Sequence, residues 1–385
     1  MISRYKIIEH LGLKNIPKAD IIFVLICLAI CIILIFMPSG FEGAKDTNGV
    51  SVPSEVINVD NSQIHVIGLI KTGEQIVTIK ILKGEYKGRV VETINHFLGK
   101  LDLDKFYVIG DKVFTVIEKD EKGDIFNAKI IDRYRLNIEA ILVGIFILFL
   151  LFYAGWTGFK ALVSFFFTAL IIWKVLLPGY LKYYPPILFS IIVVGILTWV
   201  IIFLVAGFTK KGFVAFLGAF SGVLLTCLLS ILFGKLFVIP GEIKPFAETL
   251  LYTGFIRLNL SDIFLAGVFI ASSGAVMDIA MDISASMSEI INQKPEIKAK
   301  ELILSGFAVG KSVVGTMTTT LLLAYSGGYS TLLMIFIAQG IPISNILNIQ
   351  YVSAEIMYTV VGSFGLVAVA PLTAMIGGFI YVRFR

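Results

Sequence analysis

The amino-acid sequence predicts a polytopic α-helical membrane bundle, with about eight transmembrane helices, one re-entrant or broken segment, and a small extracytoplasmic all-β domain. Two features of composition support this prediction: the ratio of hydrophobic to charged residues, which is 57% to 15% of the 385 residues, and the mean hydropathy of +0.91. Soluble domains have about 25% charged residues. The third feature is the order of the chain, because one charged interval at residues 41–134 interrupts a series of long apolar runs.

Residues 1–40 are predicted to form a cytoplasmic N-terminus and a first transmembrane helix. The basic residues Arg4, Lys6, Lys14 and Lys18 precede an apolar run at 21–37, which is about the minimum length for a span. Basic flanks tend to remain in the cytoplasm. A cleaved signal peptide has the same order of parts, but no small-x-small site follows the run cleanly and the basic region is long. We therefore expect an uncleaved anchor.

Residues 41–134 are predicted to form the extracytoplasmic β-rich domain. Apolar and polar residues alternate with a period of two, for example at 75–82 and 112–117, which is typical of half-buried strands. Turn signals such as Gly110-Asp111 separate these stretches. The interval contains no catalytic triad and no aromatic stacking stripe. We expect a folded barrel or sandwich outside the cell membrane.

Residues 135–385 are predicted to form the multi-pass transmembrane domain. Eight further apolar runs lie at 136–155, 160–177, 186–207, 213–233, 263–282, 303–324, 329–346 and 356–380. If every run crossed the membrane, Arg383 and Arg385 would lie outside, against the positive-inside tendency. Gly340 and Pro342 interrupt the seventh of these runs, so we predict that it is re-entrant or broken. Both termini then lie in the cytoplasm of a bacterial cell.

The residues with the clearest chemical signal lie near the end of the fifth of these runs. Asp278 and Asp282 are ionisable groups in a predicted span, where a charge is costly and usually functional. They share one helical face with Gly274 and with the loop acid Glu289, and Ser273 lies beside that face. The face comprises Ala271, Gly274, Ala275, Asp278, Asp282, Ala285 and Glu289. We expect it to point into the bundle.

The next predicted helix supplies a counterpart to the acids. Its one central lysine, Lys311, is expected to reach the depth of Asp278 and to form an ion pair with Asp278 or Asp282. The glycines of this helix permit close helix contact, and its hydroxyls can bond carbonyls or an ion. These polar lining or packing residues are Gly310, Gly315, Thr316, Thr318, Thr319 and Thr320.

The charges of these two helices do not balance. One lysine cannot neutralise two carboxylates, so a proton, a monovalent cation or water must compensate the second charge. Asp278, Asp282 and Lys311 are therefore candidates for a proton or ion relay. The alternative is structural: both acids cap or pair at a wet helix end and only hold the bundle together.

Other kinds of chemistry are not indicated. Gly310-Lys311-Ser312 resembles the end of a phosphate loop, but Ser305 stands where that motif needs its first glycine, so no nucleotide is expected. The histidines His10, His65 and His96 lie far apart in the sequence, so a histidine-based metal site is not expected. Cys27 and Cys31 have the i,i+4 spacing of a redox or metal pair, but they lie in an apolar run, as does Cys227, and are expected to be packing residues. We expect no metal, no cofactor and no nucleic-acid binding. No motif typical of an enzyme occurs.

At these residues the sequence resembles the YibE/F-like family of bacterial membrane proteins. The resemblance runs through 274–289, 315–325 and 362–371 and extends over nearly the whole chain. It implies a multi-pass membrane protein with an extracytoplasmic β-domain after the first helix. It implies little about activity.

A more distant resemblance, over 263–325, is to the superfamily of RND permeases and SecD/SecF. Gly274 and Asp278 match the G-x-x-x-D pattern of that superfamily, and Thr319-Thr320-Leu321 matches its Thr-Thr-Leu helix. The resemblance implies that ion flow through this region is coupled to work outside the membrane. Here four spans, rather than two, separate the outer domain from the acidic helix.

Two functions follow as expectations. The first is an ion- or proton-coupled permease or exporter, whose substrate the sequence does not specify. The second is a non-transporting membrane scaffold or assembly factor whose outer β-domain binds a partner. The expected partners are the lipid bilayer, a proton or monovalent cation, and a second copy of the chain or another membrane protein.

Overall fold

The structure is a computed structural model, and it describes residues 17–41, 49–120 and 123–383. The predictions that depend on Arg4, Lys6, Lys14, His10 and Arg385, including the position of the N-terminus, lie outside the described residues. The chain divides into two compact units, one at Gly40–Phe149 and one that joins the residues up to Ser39 to those from Leu150 onward. The predicted division at residues 40 and 134 stays a prediction.

Six antiparallel strands form one sheet in the first unit. They are β1 (Gly49–Asp60), β2 (Ile64–Ile67), β3 (Ile70–Ile81), β4 (Val90–Leu98), β5 (Lys112–Lys119) and β6 (Ile125–Arg133). The strand order is β2-β3-β1-β5-β6, and β4 pairs with the other edge of β3. Thr93 of β4 donates its hydroxyl to the carbonyl oxygen of Ala128 in β6. The sheet therefore curls, and the predicted β-domain is one curled sheet.

The alternating pattern of the strands places every second side chain inside the curl. Val77 of β3 and Val113 and Ile117 of β5 are each 0% exposed. Gln75 continues the buried row of β3, where its amide nitrogen donates to the Tyr107 carbonyl at 2.8 Å and its amide oxygen accepts from the Tyr107 N–H at 3.2 Å. Because these bonds satisfy the amide, the polar side chain can stay buried without a large penalty.

The second unit consists of helices. The chain forms α1 (Lys18–Phe36), α2 (Leu136–Ile171), α3 (Leu177–Leu181), α4 (Pro186–Ala206), α5 (Lys210–Phe237), α6 (Ala247–Tyr252), α7 (Leu260–Gln293), α8 (Ala299–Ser326), α9 (Ser330–Ala338), α10 (Ile343–Asn348) and α11 (Gln350–Arg383). Helix α2 begins in the sheet unit and continues into this one, and a π-helical turn at Ile172–Leu176 joins it to α3.

Seven helices of the described chain are long and apolar enough to cross a membrane. They are Lys18–Phe36, Leu136–Leu181, Pro186–Ala206, Lys210–Phe237, Leu260–Gln293, Ala299–Ala338 and Gln350–Arg383. The second has 46 residues, whereas one span needs about 20. Gly155 breaks it, with φ 50° and ψ −124°, at the residue where the first predicted run of this region ends. The mostly helical, apolar fold is confirmed, and the number of about eight spans stays a prediction.

Small residues bring α5, α7, α8 and α11 together. A Cβ atom added to Gly218 of α5 would lie 2.1 Å from Thr373 Oγ1 of α11, and one added to Gly222 would lie 3.0 Å from Val276 of α7. A Cβ on Gly310 of α8 would lie 2.9 Å from Ala370 of α11. Close backbone approach at small residues is a usual mode of helix packing in membranes.

The helix after α8 is interrupted at the expected residues. Helix α9 ends at Ala338, Gly340 has φ +66°, and α10 begins at Ile343 directly after Pro342. Glycine tolerates this left-handed conformation, and proline removes a backbone donor. The broken helix is therefore present, and its re-entrant position in a membrane stays a prediction.

Candidate functional site

Helix α7 carries both candidate acids. The side-chain oxygen of Asn259 caps its N-terminus by accepting from the Asp262 N–H at 3.0 Å, and the helix runs for 34 residues to Gln293. Glu289 lies inside this helix and accepts from Gln293 Nε2 at 3.1 Å. The prediction that Glu289 is a loop acid is therefore wrong. The helix continues beyond the apolar run at 263–282 because no helix-breaking residue occurs before Pro295.

One side of α7 is buried, and the opposite side is exposed. Val276, Ile279 and Ile283 are 0% exposed, because α5, α8 and α11 pack against α7. The exposed side is the acidic face, formed by Ala271, Gly274, Asp278, Asp282, Ala285 and Glu289, whereas Ala275 of the predicted face is half-buried. The expectation that this face points into the bundle is wrong for the single chain. The apolar side of α7 packs against the neighbouring helices, and the helical period places the acids on the opposite side.

The acidic face also differs in composition from the exposed faces of the neighbouring helices. Helix α5 exposes Phe213 and Leu228, and α11 exposes Phe364 and Phe379, as expected of contact with lipid. Helix α7 is described in full, and none of its large hydrophobic side chains is exposed. A face of small residues and carboxylates suits water, an ion or another helix better than acyl chains.

Helix α8 exposes most of its predicted polar residues. Lys311, Gly315, Thr316, Thr319 and Thr320 are exposed, whereas Gly310 is buried and Thr318 is half-buried. The hydroxyls of Thr316, Thr318 and Thr320 donate to backbone carbonyls of their own helix at 2.9 to 3.1 Å.

On α7, the Ser273 hydroxyl likewise donates to the Ile270 carbonyl at 2.6 Å. Because each of these hydroxyls already donates its hydrogen bond to a backbone carbonyl, only the oxygen lone pairs are available to an ion or water.

The contacts between α7 and α8 set the depth of Lys311. A Cβ on Gly310 would lie 3.3 Å from Ile283 Cδ1, and Gly306 lies in the same way against Met287. Because the helices are antiparallel neighbours, these contacts put Lys311 at the level of Asp282. The expectation that Lys311 reaches the depth of Asp278 is corrected by about one helical turn.

The predicted ion pair is not formed. Among the described residues, no ion pair within 4.0 Å includes Asp278, Asp282 or Lys311. Equal depth is not enough for pairing, because each side chain also needs the right direction around its helix. The two carboxylates therefore lie one turn apart on α7 without a cation partner from the described residues.

A different pair of charges in the helical unit does form an ion pair, which is called the closed pair below. Lys160 Nζ of α2 lies 3.3 Å from Asp20 Oδ2 of α1, and the two side chains are only 8% and 16% exposed. Lys160 Nζ also approaches the Val205 carbonyl of α4 at 3.4 Å. This arrangement joins three helices and leaves neither charge without a partner.

A third charged cluster, which the sequence patterns did not predict, surrounds Lys244. Lys244, in the segment between α5 and α6, lies 4.0 Å from Glu355 Oε2 of α11 and donates to the Tyr329 hydroxyl at 3.3 Å. Its Nζ lies 4.9 Å from the ring centre of Tyr358. The signal in the sequence was that Glu355 is the only acid of the last apolar stretch, but it falls one residue before the predicted run.

A cavity of about 650 Å³, the Lys244 cavity, adjoins this cluster. Its walls come from α3, the segment at 241–258, the first half of α7, and Tyr358 of α11. A smaller cavity of about 190 Å³ is lined by Tyr329 and Glu355. Lys244 therefore lines the larger cavity, and its partners Tyr329 and Glu355 line the smaller one.

Metal ligands are not brought together in the described part of the chain, where no group of three or more His, Cys, Asp or Glu residues could hold a metal ion. Carboxylates such as those of Asp278 and Asp282 can exchange a proton or bind a cation.

Comparisons with known proteins identify the family but no function. The profile described as YibE/F-like protein matches residues 142–383, and the profile described as the YibE/F family N-terminal domain matches residues 55–133. No curated protein and no solved structure matches the chain.

Proposed function

The chain belongs to the YibE/F-like protein family, and on that premise we propose that it is an ion- or proton-coupled permease or exporter. Asp278 is the relay that binds the coupling proton or cation, Asp282 is a second acid, and Lys311 is the charge partner. The observation that supports this most is the pair of carboxylates on an apolar helix, one turn apart and without an ion pair among the described residues.

The energetic argument is simple. A carboxylate in a membrane-spanning helix is costly unless a proton, a cation or water compensates it. Two carboxylates one turn apart repel each other, so binding one proton or monovalent cation relieves both the repulsion and the desolvation. Release becomes favourable where water can enter. A site that alternates between these states can couple ion flow to transport.

Lys311 gives the site a second way to compensate its charge. It lies at the level of Asp282 on the next helix, and a rearrangement of the two helices during the transport cycle is proposed to bring the ammonium to the carboxylate. The lysine would then replace the coupling ion after its release. The same exposed face explains why we also expect a second copy or a membrane partner near it, because lipid alone solvates it badly.

The proposed setting is the bacterial cell membrane. We propose that the curled sheet lies on the extracytoplasmic side and that both termini lie in the cytoplasm, which requires an even number of spans. The basic residues Lys210, Lys211, Lys294, Lys298 and Lys300 then fall on the inner side. The proposal involves no cofactor, no nucleotide and no nucleic acid, and it assigns no catalysis to the chain.

Charge movement in proteoliposomes tests the relay without knowledge of the substrate. Full-length protein on a solid-supported membrane is exposed to a jump in pH, Na⁺ or K⁺, and the transient current is recorded. We expect a current with at least one of these cations, because ion binding moves charge within the membrane. Asp278→Asn should abolish it, since the amide cannot exchange a proton and binds cations weakly.

Glu296→Gln is the matched control, because it removes a carboxyl from the connection between α7 and α8. It should leave the current unchanged. Equal currents in wild type and Asp278→Asn, or no current in wild type with any of the three cations, would overturn the relay.

A second function, the non-transporting scaffold, is favoured by one observation on the sheet unit. Ile67, Leu69, Leu98 and Leu101 are 68% to 83% exposed, and a Cβ on Gly99 would lie 3.3 Å from Ile70. The turn after β4 therefore adjoins the β2–β3 hairpin, and the two form an exposed apolar cluster. Clusters of this kind often mark sites of protein or membrane contact.

The scaffold proposal has its own test. A photo-crosslinking residue at Leu69, compared with one at Lys129 on the exposed side of β6, is activated in living cells. A defined adduct that forms only at Leu69 and persists in Asp278→Asn, together with absent transient currents, would favour the scaffold. Absence of any adduct at Leu69 would count against it.

A further inference from the structure

The Lys244 cavity has an almost entirely apolar wall. Leu177 and Leu181 of α3, Leu250 of α6, and Phe264 of α7 line it. A pocket with this lining, and with a few placed polar groups, is the usual form of a small-molecule site. It lies in the helical unit, among the helices that are apolar enough to span a membrane.

The size of the cavity limits its ligand. Its volume is about 650 Å³, within the roughly 300 to 1,000 Å³ that is typical of ligand pockets. At roughly 30 Å³ for each water-sized group, it has room for about twenty such groups. A single long alkyl chain with a small headgroup has this size, whereas a two-chain phospholipid is about twice as large.

Lys244 is the only charged side chain among the described residues that line the cavity. The hydroxyls of the two tyrosines in the wall are already engaged, because Tyr180 bonds Ser190 and Tyr358 donates to the Gly267 carbonyl. Glu355 does not line this cavity and belongs to the smaller one. The ammonium therefore supplies the polar end of an otherwise apolar pocket.

The bonds of Lys244 leave it able to bind an anion. An ammonium has three donors, and its hydrogen bond to the Tyr329 hydroxyl uses one. The contact with Glu355, at 4.0 Å, is too long for a good hydrogen bond. The ring of Tyr358 and that of Phe264, whose centre lies 5.4 Å from Nζ, hold the ammonium by cation–π attraction.

We propose that the Lys244 cavity binds a single-chain amphiphile with an anionic headgroup, either a carboxylate or a phosphate. The chain occupies the apolar pocket and the headgroup bonds to Lys244. As the substrate class of the permease, this inference rests on the proposed function. As a binding site it is separate, because a failure of amphiphile binding leaves ion coupling at Asp278 untouched, and the reverse also holds.

Equilibrium binding to full-length protein in a non-ionic detergent tests the site. The probes are radiolabelled palmitate, a palmitoyl lysophosphatidate, and hexadecanol as the neutral molecule of equal chain length. We expect at least one of the two anions to bind about tenfold or more tightly than hexadecanol, because only the anions can make a hydrogen bond between two charged groups with the half-buried Lys244. The comparison of the two anions distinguishes a carboxylate from a phosphate ligand.

Three variants give the controls. Lys244→Met should reduce anion binding to the level of hexadecanol, and Thr253→Trp, at the exposed rim of the cavity, should reduce binding of all three probes. Arg257→Gln removes a charge from the same segment outside the lining and should bind like wild type.

Three results would overturn the site: equal affinity for anions and hexadecanol, unchanged binding in Thr253→Trp, or unchanged anion binding in Lys244→Met. If Lys244→Met does not fold, the rim variant and the comparison of the three probes still decide the question, because neither requires loss of the lysine.

Discussion

Two sets of charges in the helical unit both contain carboxylates but lie in different surroundings. Asp20 and Lys160 lie 3.3 Å apart with side chains 16% and 8% exposed, and a backbone carbonyl lies near the ammonium. Asp278 and Asp282 are exposed on α7 and have no ion pair within the described chain. Within the part of the chain that the structure describes, the first set has its counter-charge and the second does not.

The difference separates structural charges from charges that are free to react. A closed buried pair contributes to the fold mainly through the penalty for losing one partner, and it has little capacity to bind an ion. An open pair of carboxylates does little to hold its helix, and its binding capacity remains. The comparison therefore supports placing function at α7, and it predicts that substitutions in the two sets will have opposite consequences for stability and activity.

The largest effect on stability is expected at the closed pair. Lys160→Met leaves the Asp20 carboxylate buried without a partner, which typically costs about 3 to 5 kcal/mol of the free energy of unfolding. The double substitution Asp20→Asn with Lys160→Met should recover most of this loss, because neither charge remains. Thermal unfolding of the purified protein in detergent measures both variants. A single variant as stable as wild type would show that the pair does not hold these helices together.

A smaller effect is expected from a pair of glycine substitutions on the packed and open faces. Gly218→Ala places a Cβ 2.1 Å from Thr373 Oγ1, so we expect a loss of about 1 to 3 kcal/mol from overpacking between α5 and α11. Gly274→Ala meets no atom within 4 Å. It should be neutral or stabilise the protein by up to about 1 kcal/mol through helix propensity.

The same unfolding measurement distinguishes the two glycines. A loss of unfolding free energy at Gly274→Ala as large as that at Gly218→Ala would mean that the acidic face is tightly covered in the purified protein. The acids of α7 would then not differ from the closed pair in their exposure.

The smallest effect is expected at the ion pair of Asp132 with Lys105 in the sheet unit, because water weakens the interaction between these partly exposed groups. Partial burial alone would raise the pKa of Asp132, but hydrogen bonds from Lys105, from the Arg133 N–H and from Arg135 together lower the pKa below its ordinary value of 3.8. Because the folded-state pKa is lowered, the stabilisation is present above the unfolded pKa and is lost as the pH falls through the folded one. The expected size is about 0.5 to 1 kcal/mol.

Hydrogen exchange of the β6 amides, corrected for intrinsic rates, measures this effect between pH 7 and pH 3. Wild type should lose protection towards acid, and Asp132→Asn should show a smaller change with pH. Identical pH dependence in both proteins would mean that other carboxylates govern the acid response of the sheet.

The predictability of the structure differed between elements for physical reasons. Period-two alternation predicted strands such as β3 and β5, because side chains of a strand point alternately to two faces, whereas β1 and β2 lie outside the stretches where the alternation was identified. The break after Ala338 followed from Gly340 and Pro342, whose backbone constraints act locally. The depth of Lys311 was missed by one turn, because it depends on how α8 slides along α7, and side-chain contacts such as that of Gly310 with Ile283 decide it.

The amino-acid sequence by itself determined the apolar helices, the alternating strands, and the acids that share one face of α7, since composition and period act within each element. Only the tertiary structure decided where that face points, because helical periodicity relates residues on one helix and does not select the side that packs. It also decided that Lys160 closes on Asp20 and that Lys244 meets Glu355, residues separated by 140 and 111 positions. These contacts between distant residues depend on how whole helices pack, and no local sequence pattern encodes that packing.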